Sequence, residues 1–291
     1  MNDPAAPIQV LSLVNQKGGC GKTTTAVNLA GALAARGESV LLVDLDPQAH
    51  ATLALGCAIE QEPTVADVLL GEASASAAIQ SRPGGIDLLP ADRRLGEFEE
   101  QSERLLHPEQ RLAGALRPLV DSYGWVVVDC PPRADGVLCA NALFASTASL
   151  LVVETGAFAL QGALQALTVL EETAERQGRV YDVRVVGTMF DRRTKFAREL
   201  LVALHGRFGE AMFDTVIRTS VRLREAPAWG VPIQELAPGS RAASDFASLA
   251  EEVVTAAPTF GLGVELAPSP PPAAALHAPA EEASPLSLIH I

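Results

Sequence analysis

Short apolar runs alternate with longer amphipathic stretches along most of this chain. Each run has the length of a buried strand, and the runs lie at residues 10–14, 40–43, 86–89, 126–128, 150–153 and 183–186. The stretches between them carry apolar residues at helical spacing, most clearly at 23–35, 109–120, 160–176 and 197–208. Continuous apolar strands separated by helices are typical of a parallel sheet covered on both faces. The pattern therefore predicts an α/β fold, with a mostly parallel twisted sheet and helices on both faces.

The alternation stops near residue 257, where the composition changes. From Pro258 onward Pro, Ala and Ser dominate, and such a segment cannot build a packed core. We therefore predict one domain over residues 1–257 and a disordered Pro/Ala-rich tail over 258–291. The last six residues read LSLIHI, as a common transposon-based sequencing adapter does when translated, so we expect the natural C-terminus to be missing.

Composition narrows the class of protein. Of the 291 residues 48% are hydrophobic and only 4% aromatic, so Ala, Val, Leu and Ile must fill the core. The four cysteines form no C-x-x-C pair and the first seven residues resemble no signal peptide, which together predict a cytoplasmic protein. Polar residues such as Asn141 and Thr147 interrupt the most apolar window, 137–153. That window predicts a helix, a break and a buried strand rather than a membrane span.

A glycine-rich segment follows the first predicted strand and opens the first predicted helix. It reads Lys17-Gly18-Gly19-Cys20-Gly21-Lys22-Thr23-Thr24. Glycines let successive backbone N–H groups turn toward one point, and the helix N-terminus adds the positive end of its dipole. A lysine at the end of such a loop supplies charge to phosphates, and the next hydroxyl can ligate Mg²⁺. The segment therefore predicts a phosphate-binding loop, although Gln16 stands where the strict pattern has glycine.

Carboxylates follow two of the predicted strands. Asp44 and Asp46 come at the end of the run at 40–43, and Asp129 closes the run WVVVD. Open α/β sheets bind ligands at the carboxyl ends of their strands. Asp129 has the position of a Walker B carboxylate, which would hold Mg²⁺ directly or through water.

The loop sequence K-G-G-x-G-K-T-T resembles the deviant Walker A motif of the ParA/MinD group of phosphate-loop ATPases, and the resemblance extends over about residues 8–256. The segment VDLDPQAHAT resembles VDLDPQGNAT of that family, with Ala49 and His50 in place of Gly and Asn. The tract VIRTSVRLREAP at 216–227 resembles IPRNVRLSEAP, which is typical of the ParA/Soj partition branch and absent from MinD-type proteins. The resemblance implies a phosphate-loop NTPase fold and an ATPase that uses ATP and Mg²⁺.

The resemblance also implies catalytic roles for three residues. Lys17 would reach across a nucleotide-sandwich dimer to the phosphates bound by the second copy, where a cation stabilises charge in the transition state. Lys22 would bind the phosphates of its own copy. Asp46 would orient the attacking water.

Further residues are implied to bind the nucleotide and the metal. The phosphates would be bound by Lys17, Gly18, Gly19, Cys20, Gly21, Lys22, Thr23 and Thr24. The adenine would pack against the loop marked by Arg218 and Ser220, where relatives usually have Pro and Asn. Thr23, Asp129 and Asp44 would hold Mg²⁺.

Basic residues gather in the second half of a chain whose formal net charge is -13. That charge argues against coating nucleic acid by bulk attraction but leaves room for a local basic patch. In the partition branch such residues bind DNA without sequence preference on the ATP dimer. By resemblance the candidates here are Arg192, Arg193, Lys195, Arg198, Arg222 and Arg224. The implied partners are a second copy, non-specific double-stranded DNA and a ParB-like protein, with no membrane and a nucleoid-associated location.

Other interpretations stay open. A MinD-like membrane-cycling positioning ATPase would need a C-terminal amphipathic helix with a basic face, which the tail does not offer. A ParA-like ATPase that positions a protein cargo has no sequence feature that separates it from DNA partition. A metabolic enzyme on the same fold would need a substrate pocket or a cluster motif, and the cysteines and histidines show no ligand spacing.

Overall fold

The structure, a computed structural model, describes residues 8–58, 63–133 and 135–261. In these ranges the strands are β1 (Gln9–Val14), β2 (Val40–Asp44), β3 (Gln80–Arg82), β4 (Ile86–Leu89), β5 (Trp125–Asp129), β6 (Ala148–Glu154), β7 (Val183–Phe190) and β8 (Met212–Arg218). The helices are α1 (Lys22–Ala35), α2 (His50–Ala54), α3 (Val65–Leu70), α4 (Ala75–Ala78), α5 (Leu95–Gln101), α6 (Arg111–Leu116), α7 (Val137–Ala145), α8 (Ala159–Gln177), α9 (Lys195–Phe208), α10 (Val221–Trp229), α11 (Ile233–Leu236) and α12 (Arg241–Ala256).

All the strands belong to one sheet, in the order β3-β4-β2-β5-β1-β6-β7-β8. Neighbouring strands are parallel throughout, except for the short antiparallel pair β3 and β4. Each apolar run of the sequence forms a strand, and the predicted α/β fold with a mostly parallel sheet is confirmed. Because the strands run the same way, their carboxyl ends meet at one edge.

Two hydrophobic cores lie on opposite faces of the sheet, because successive strand residues point to opposite sides. In β1, Val10 and Val14 join the cluster formed with α3 to α9, whereas Leu11 and Leu13 join the cluster formed with α1, α2 and α10 to α12. Helices therefore cover both faces, as predicted. A strand buried on both faces needs apolar residues throughout, which explains why these runs are continuous rather than alternating.

One predicted segment differs from the structure, and another lies largely outside the described residues. The helix expected at 109–120 is α-helical only in α6, with 3-10 turns at Pro108–Gln110 and Arg117–Leu119 on either side. Pro118 has no backbone N–H, so it cannot continue the α-helical hydrogen bonding. The predicted tail at 258–291 falls outside the described residues from position 262 onward.

Helix α1 is in close contact with the segment that follows α10. Asn28 Nδ2 donates to the Thr24 carbonyl at 2.7 Å, and Asn28 Oδ1 accepts from the Ile233 N–H at 2.7 Å. Gly31 faces Pro232 on the same side of the helix. The contact holds the first helix of the chain against a segment about 200 residues later.

We expect Gly31→Ala to lower the free energy of unfolding by about 1–3 kcal/mol. A Cβ there would lie 2.7 Å from Gln234 Oε1 and 2.8 Å from Pro232 Cβ, and the proline ring cannot turn away. Urea unfolding followed by circular dichroism measures the change. Gly114→Ala on α6 is the matched control, because nothing lies within 4 Å of a Cβ at that position. The control should gain up to about 1 kcal/mol, and equal effects of the two changes would contradict the packing argument.

Candidate functional site

The phosphate loop connects β1 to α1 at the carboxyl edge of the sheet. Gly19 and Gly21 have φ of +77° and +93°, a conformation that glycine adopts without steric cost. Gly21 caps α1 without any side-chain hydrogen bond, so the first N–H groups of the helix stay available for an anion. The buried Lys22 places its ammonium 3.4 Å from the carbonyl oxygen of Lys17. The loop thus presents N–H groups and a cation to one point.

Neighbouring strands hold this loop in place. Asn15 Nδ2 donates to the Val152 carbonyl at 2.6 Å, and Asn15 Oδ1 accepts from the Lys17 N–H at 2.9 Å. On the other side, Thr188 Oγ1 donates to the Cys20 carbonyl at 2.7 Å. The ends of β6 and β7 therefore fix the loop through hydrogen bonds that are largely buried.

A cavity of about 470 Å³ opens over the loop. Residues predicted from the sequence line part of it, namely Gly18, Gly19, Gly21, Lys22, Thr23, Thr24 and Asp46. Sequence reasoning missed the rest of the lining: Val27, Asn28, Gln48, His50, Ala54, Pro132, Met189, Leu223, Ala226, Pro227 and Val231. The resemblance at 216–227 was a signal for part of this wall, because Leu223, Ala226 and Pro227 belong to that tract.

Asp44 is wholly buried and fully engaged. Its Oδ2 accepts from both the N–H and the hydroxyl of Thr52 at 2.8 Å, and its Oδ1 accepts from the Asp46 N–H at 3.0 Å. Burial raises the pKa of Asp44 to about 6, although these hydrogen bonds act in the opposite direction. Both oxygens already have donors, so Asp44 is better suited to orienting its neighbours than to binding an ion directly.

Asp129 is also wholly buried, and neither carboxylate oxygen makes a hydrogen bond of normal geometry among the described residues, although the Thr23 hydroxyl lies near enough to affect its pKa. Burial, and then the negative charge of Asp44, raise the pKa of Asp129 well above its ordinary value, while Thr23 and Lys22 lower it. A buried carboxylate without donors is costly for the fold. A hard cation that accepts oxygen ligands would fit these two atoms.

Asp46 lies at the cavity and is only 8% exposed. Its Oδ1 accepts from the Gln48 N–H at 2.9 Å, and its Oδ2 lies 3.9 Å from His50 Nδ1. One carboxylate oxygen therefore holds the local turn, and the other remains available at the cavity.

Lys17 points away from its own cavity. Its ammonium forms an ion pair with Glu154 at the end of β6, and more than half of its side chain is exposed. The structure thus separates the two lysines of the loop, with Lys22 buried at the cavity and Lys17 at the surface.

Arg218 and Ser220 do not line the cavity. The guanidinium of Arg218 binds the Asp245 carboxylate on α12, with Nε to Oδ2 at 2.9 Å, and Ser220 caps α10 without a side-chain hydrogen bond. Side chains further along the tract, Leu223 and Pro227, line the cavity instead. The wall opposite the phosphate loop is apolar, as a flat aromatic base would require.

The six candidate DNA-binding residues are all exposed, but they differ in their partners. Three have an acidic neighbour: Arg193 with Asp191 at 2.8 Å, Lys195 with Glu199 at 3.4 Å, and Arg222 with Glu225 at 2.9 Å. The other three are Arg192, Arg198 and Arg224. In the described part of the chain, no carboxylate oxygen lies within 4.0 Å of their guanidinium nitrogens. These three are the cations best placed to bind an external anion.

Residues 8–58, 63–133 and 135–261 contain neither a metal-binding cluster nor a membrane span. No group of three or more His, Cys, Asp or Glu side chains could hold a metal ion. No helix there has the length and apolar character needed to cross a membrane.

Known proteins resemble this chain over most of its length. A family described as AAA domain matches residues 8–181. Chromosome partitioning protein ParA of Caulobacter vibrioides is 36% identical over 256 residues, which cover 86% of this chain and 96% of that protein. Sporulation initiation inhibitor protein Soj of Bacillus subtilis is 36% identical over 250 residues, which cover 84% and 98%.

Solved structures share the fold. The crystal structure of cobyrinic acid a,c-diamide synthase from Mycobacterium smegmatis with bound ADP and magnesium has a TM-score of 0.75 and 29% identity. The match covers 86% of this chain and 95% of that one. ParA of Caulobacter vibrioides and Soj of Bacillus subtilis are therefore more similar to this chain in sequence than the synthase is.

We expect Asp129→Asn to raise the free energy of unfolding of the metal-free protein at pH 8. The raised pKa means that the folded state binds this proton more tightly than the unfolded chain does. Ionisation at higher pH therefore destabilises the fold, and asparagine removes the charge. Urea unfolding at pH 8 with a chelator measures the difference.

Asp67→Asn is the control with the opposite sign. Burial raises the pKa of Asp67, but hydrogen bonds from the Thr64 backbone and from Arg94 lower it by more, so the pKa lies below its ordinary value. That carboxylate stabilises the fold above its unfolded-state pKa, so its loss at pH 8 should be destabilising. A loss of stability in both variants would mean that the charge of Asp129 is compensated.

Proposed function

Because this chain belongs to the ParA/Soj family of ATPases, we propose that it is a partition ATPase whose ATP-bound sandwich dimer binds DNA without sequence preference. Hydrolysis, stimulated by a ParB-like partner, releases the DNA. The observation that carries the nucleotide-binding part of the proposal is the pairing of a phosphate loop with the buried carboxylate of Asp129, whose oxygens make no hydrogen bond of normal geometry among the described residues. That combination suits a nucleoside triphosphate with Mg²⁺.

Within the cavity each residue has a distinct task. The N–H groups of residues 18–24 and the ammonium of Lys22 bind the phosphates, and Asn28 and Leu223 flank the remainder of the nucleotide. Asp46 Oδ2 accepts a hydrogen bond from the attacking water and orients it. Asp129 and the Thr23 hydroxyl would hold Mg²⁺, with Asp44 orienting the surrounding groups, and the ion would neutralise charge on the phosphates.

Lys17 connects hydrolysis to dimer formation. Its ion pair with Glu154 is exposed, and such pairs contribute only about 0–1 kcal/mol. Lys17 therefore exchanges Glu154 for the phosphates bound by a second copy at little cost. Each copy then completes the catalytic site of the other, so that hydrolysis requires the dimer.

DNA binding is assigned to the cations near the ends of β7 and β8. Doubling this surface in a dimer doubles the phosphate contacts, which strengthens binding and makes it sensitive to salt. Location on the nucleoid in the cytoplasm follows from this activity. Relatives named for chromosome partition favour DNA over a protein cargo or a membrane as the substrate surface.

The direct test is fluorescence anisotropy with a random-sequence duplex, in the presence of ATP and Mg²⁺ and then of ADP. Binding that requires ATP and weakens steeply with salt supports the proposal. Equal binding in both nucleotide states, or none in either state while ATP is bound, would contradict it.

We expect Arg192→Ala, Arg198→Ala and Arg224→Ala each to weaken DNA binding and to reduce the slope of log affinity against log salt by about one. Each substitution removes a cation that has no carboxylate partner and that would contact one DNA phosphate. Affinity for ATP should not change. Arg193→Ala is the matched control, since Asp191 already neutralises that guanidinium at 2.8 Å. A larger loss in the control would place the DNA surface differently.

We expect Asp46→Ala to trap the ATP-bound dimer, because the water loses its acceptor while the phosphate contacts remain. Light scattering coupled to size-exclusion chromatography, with ATP and with ADP, measures the mass. The variant should be dimeric with ATP and monomeric with ADP. A variant that binds ATP yet stays monomeric would argue against the catalytic role of Asp46.

A further inference from the structure

His50 opens helix α2 at the rim of the nucleotide cavity. Its side chain is 61% exposed, and its Nδ1 lies 3.9 Å from Asp46 Oδ2. The family pattern has Asn at this position, so the imidazole is a feature of this chain. No catalytic, binding or metal role described above involves it.

The two oxygens of Asp46 differ in their surroundings. Oδ1 is occupied by the Gln48 N–H at 2.9 Å. Among the basic side chains of the described residues, His50 is the one within 4.0 Å of Oδ2. The oxygen that would accept the hydrogen of the attacking water is therefore the oxygen that faces the imidazole.

Most other charged groups near α2 are already engaged, and Asp44, whose pKa burial raises to about 6, also changes charge in this range. Helix α2 packs against α1, β2 and α10, whose charged residues in this region are Lys22, Asp44, Arg222, Arg224 and Glu225. The Lys22 ammonium bonds to the Lys17 carbonyl, Thr52 occupies Asp44, and Arg222 pairs with Glu225. Arg224 keeps its charge, and Arg82 binds the Leu55 carbonyl beyond the other end of α2. Histidine is the side chain whose charge ordinarily changes between pH 5 and 8.

We propose that His50 is a positioning residue that controls Asp46 through its own protonation. In the charged form the imidazolium pairs with Oδ2 and competes with the attacking water for that oxygen. In the neutral form Oδ2 is left to the water. The inference rests on the proposed function, which assigns water orientation to Asp46. An exposed ion pair shifts an equilibrium by a few-fold at most, so the effect is a modulation of rate rather than a switch.

The test is the pH dependence of kcat for ATP hydrolysis from pH 5.5 to 8.0, with saturating ATP, Mg²⁺ and DNA. In the wild-type protein kcat should rise about two- to fivefold across this range. In His50→Asn, which keeps a polar side chain without the charge, the rise in kcat should be smaller than in the wild type, and any rise that remains reports Asp44, which both proteins share. KM for ATP should stay within about twofold, because the pair acts on the water rather than on nucleotide binding.

Two further variants separate this role from a merely structural one. His107→Asn is the matched control, since His107 is also exposed and its Nδ1 lies 3.6 Å from Glu109 Oε1, away from the cavity. It should keep the wild-type profile. His50→Lys supplies a cation at every pH of the range, and its kcat should stay at the low-pH level of the wild type.

The outcomes distinguish the two proposals. If the wild-type protein hydrolyses ATP but His50→Asn keeps the wild-type pH dependence, or His50→Lys matches His50→Asn, this inference is overturned and the proposed function stands. A flat wild-type profile overturns it in the same way. If ATP is neither bound nor hydrolysed by the wild-type protein, the proposed function fails and the inference fails with it.

Discussion

The parallel register of β2 and β5 sets Asp44 directly opposite Asp129, and the candidate site depends on this placement. Both carboxylates are wholly buried at the edge where the phosphate loop begins. Thr52 and a backbone N–H satisfy Asp44, whereas Asp129 makes no hydrogen bond of normal geometry in the described part of the chain. Burial raises the pKa of both carboxylates, the charge of Asp44 raises that of Asp129 further, and both effects weaken the fold when the groups are ionised. The sheet thus carries a destabilising pair at the place where a cation and phosphates would compensate it.

Strained backbone conformations and buried hydrogen bonds both occur at this carboxyl edge of the sheet. Ala49 and Met189 have φ of +53° and +55°, which cost non-glycine residues about 1 kcal/mol or more each. Ala49 caps α2 and Met189 lines the cavity. The loop itself is held by buried hydrogen bonds from Asn15 and Thr188. The surrounding packing therefore maintains a geometry that the local backbone would not choose.

The contacts divide into fixed and exchangeable ones, and the division suits a two-state ATPase. Hydrogen bonds that shape the phosphate loop are buried or partly buried, so water competes little for them. The Lys17 pair with Glu154 and the His50 approach to Asp46 are exposed, and water competes for both. The contacts that the proposed dimer would exchange are thus those held most weakly.

Local pattern determined much of this protein. Three short-range features are visible in the sequence: the apolar runs, the glycine loop and the carboxylates that follow the strands. Because a parallel sheet brings the ends of its strands together, these features made the fold, the phosphate loop and the nearby carboxylates predictable. Tertiary structure alone decided the apolar cavity wall with Met189 and Leu223, the pairing of Arg218 with Asp245, and the holding of Lys17 by Glu154. Helix α12 and the antiparallel β3 were not predicted either. These features depend on residues distant in sequence meeting at one place, and periodicity along the chain carries no information about which distant side chains will meet.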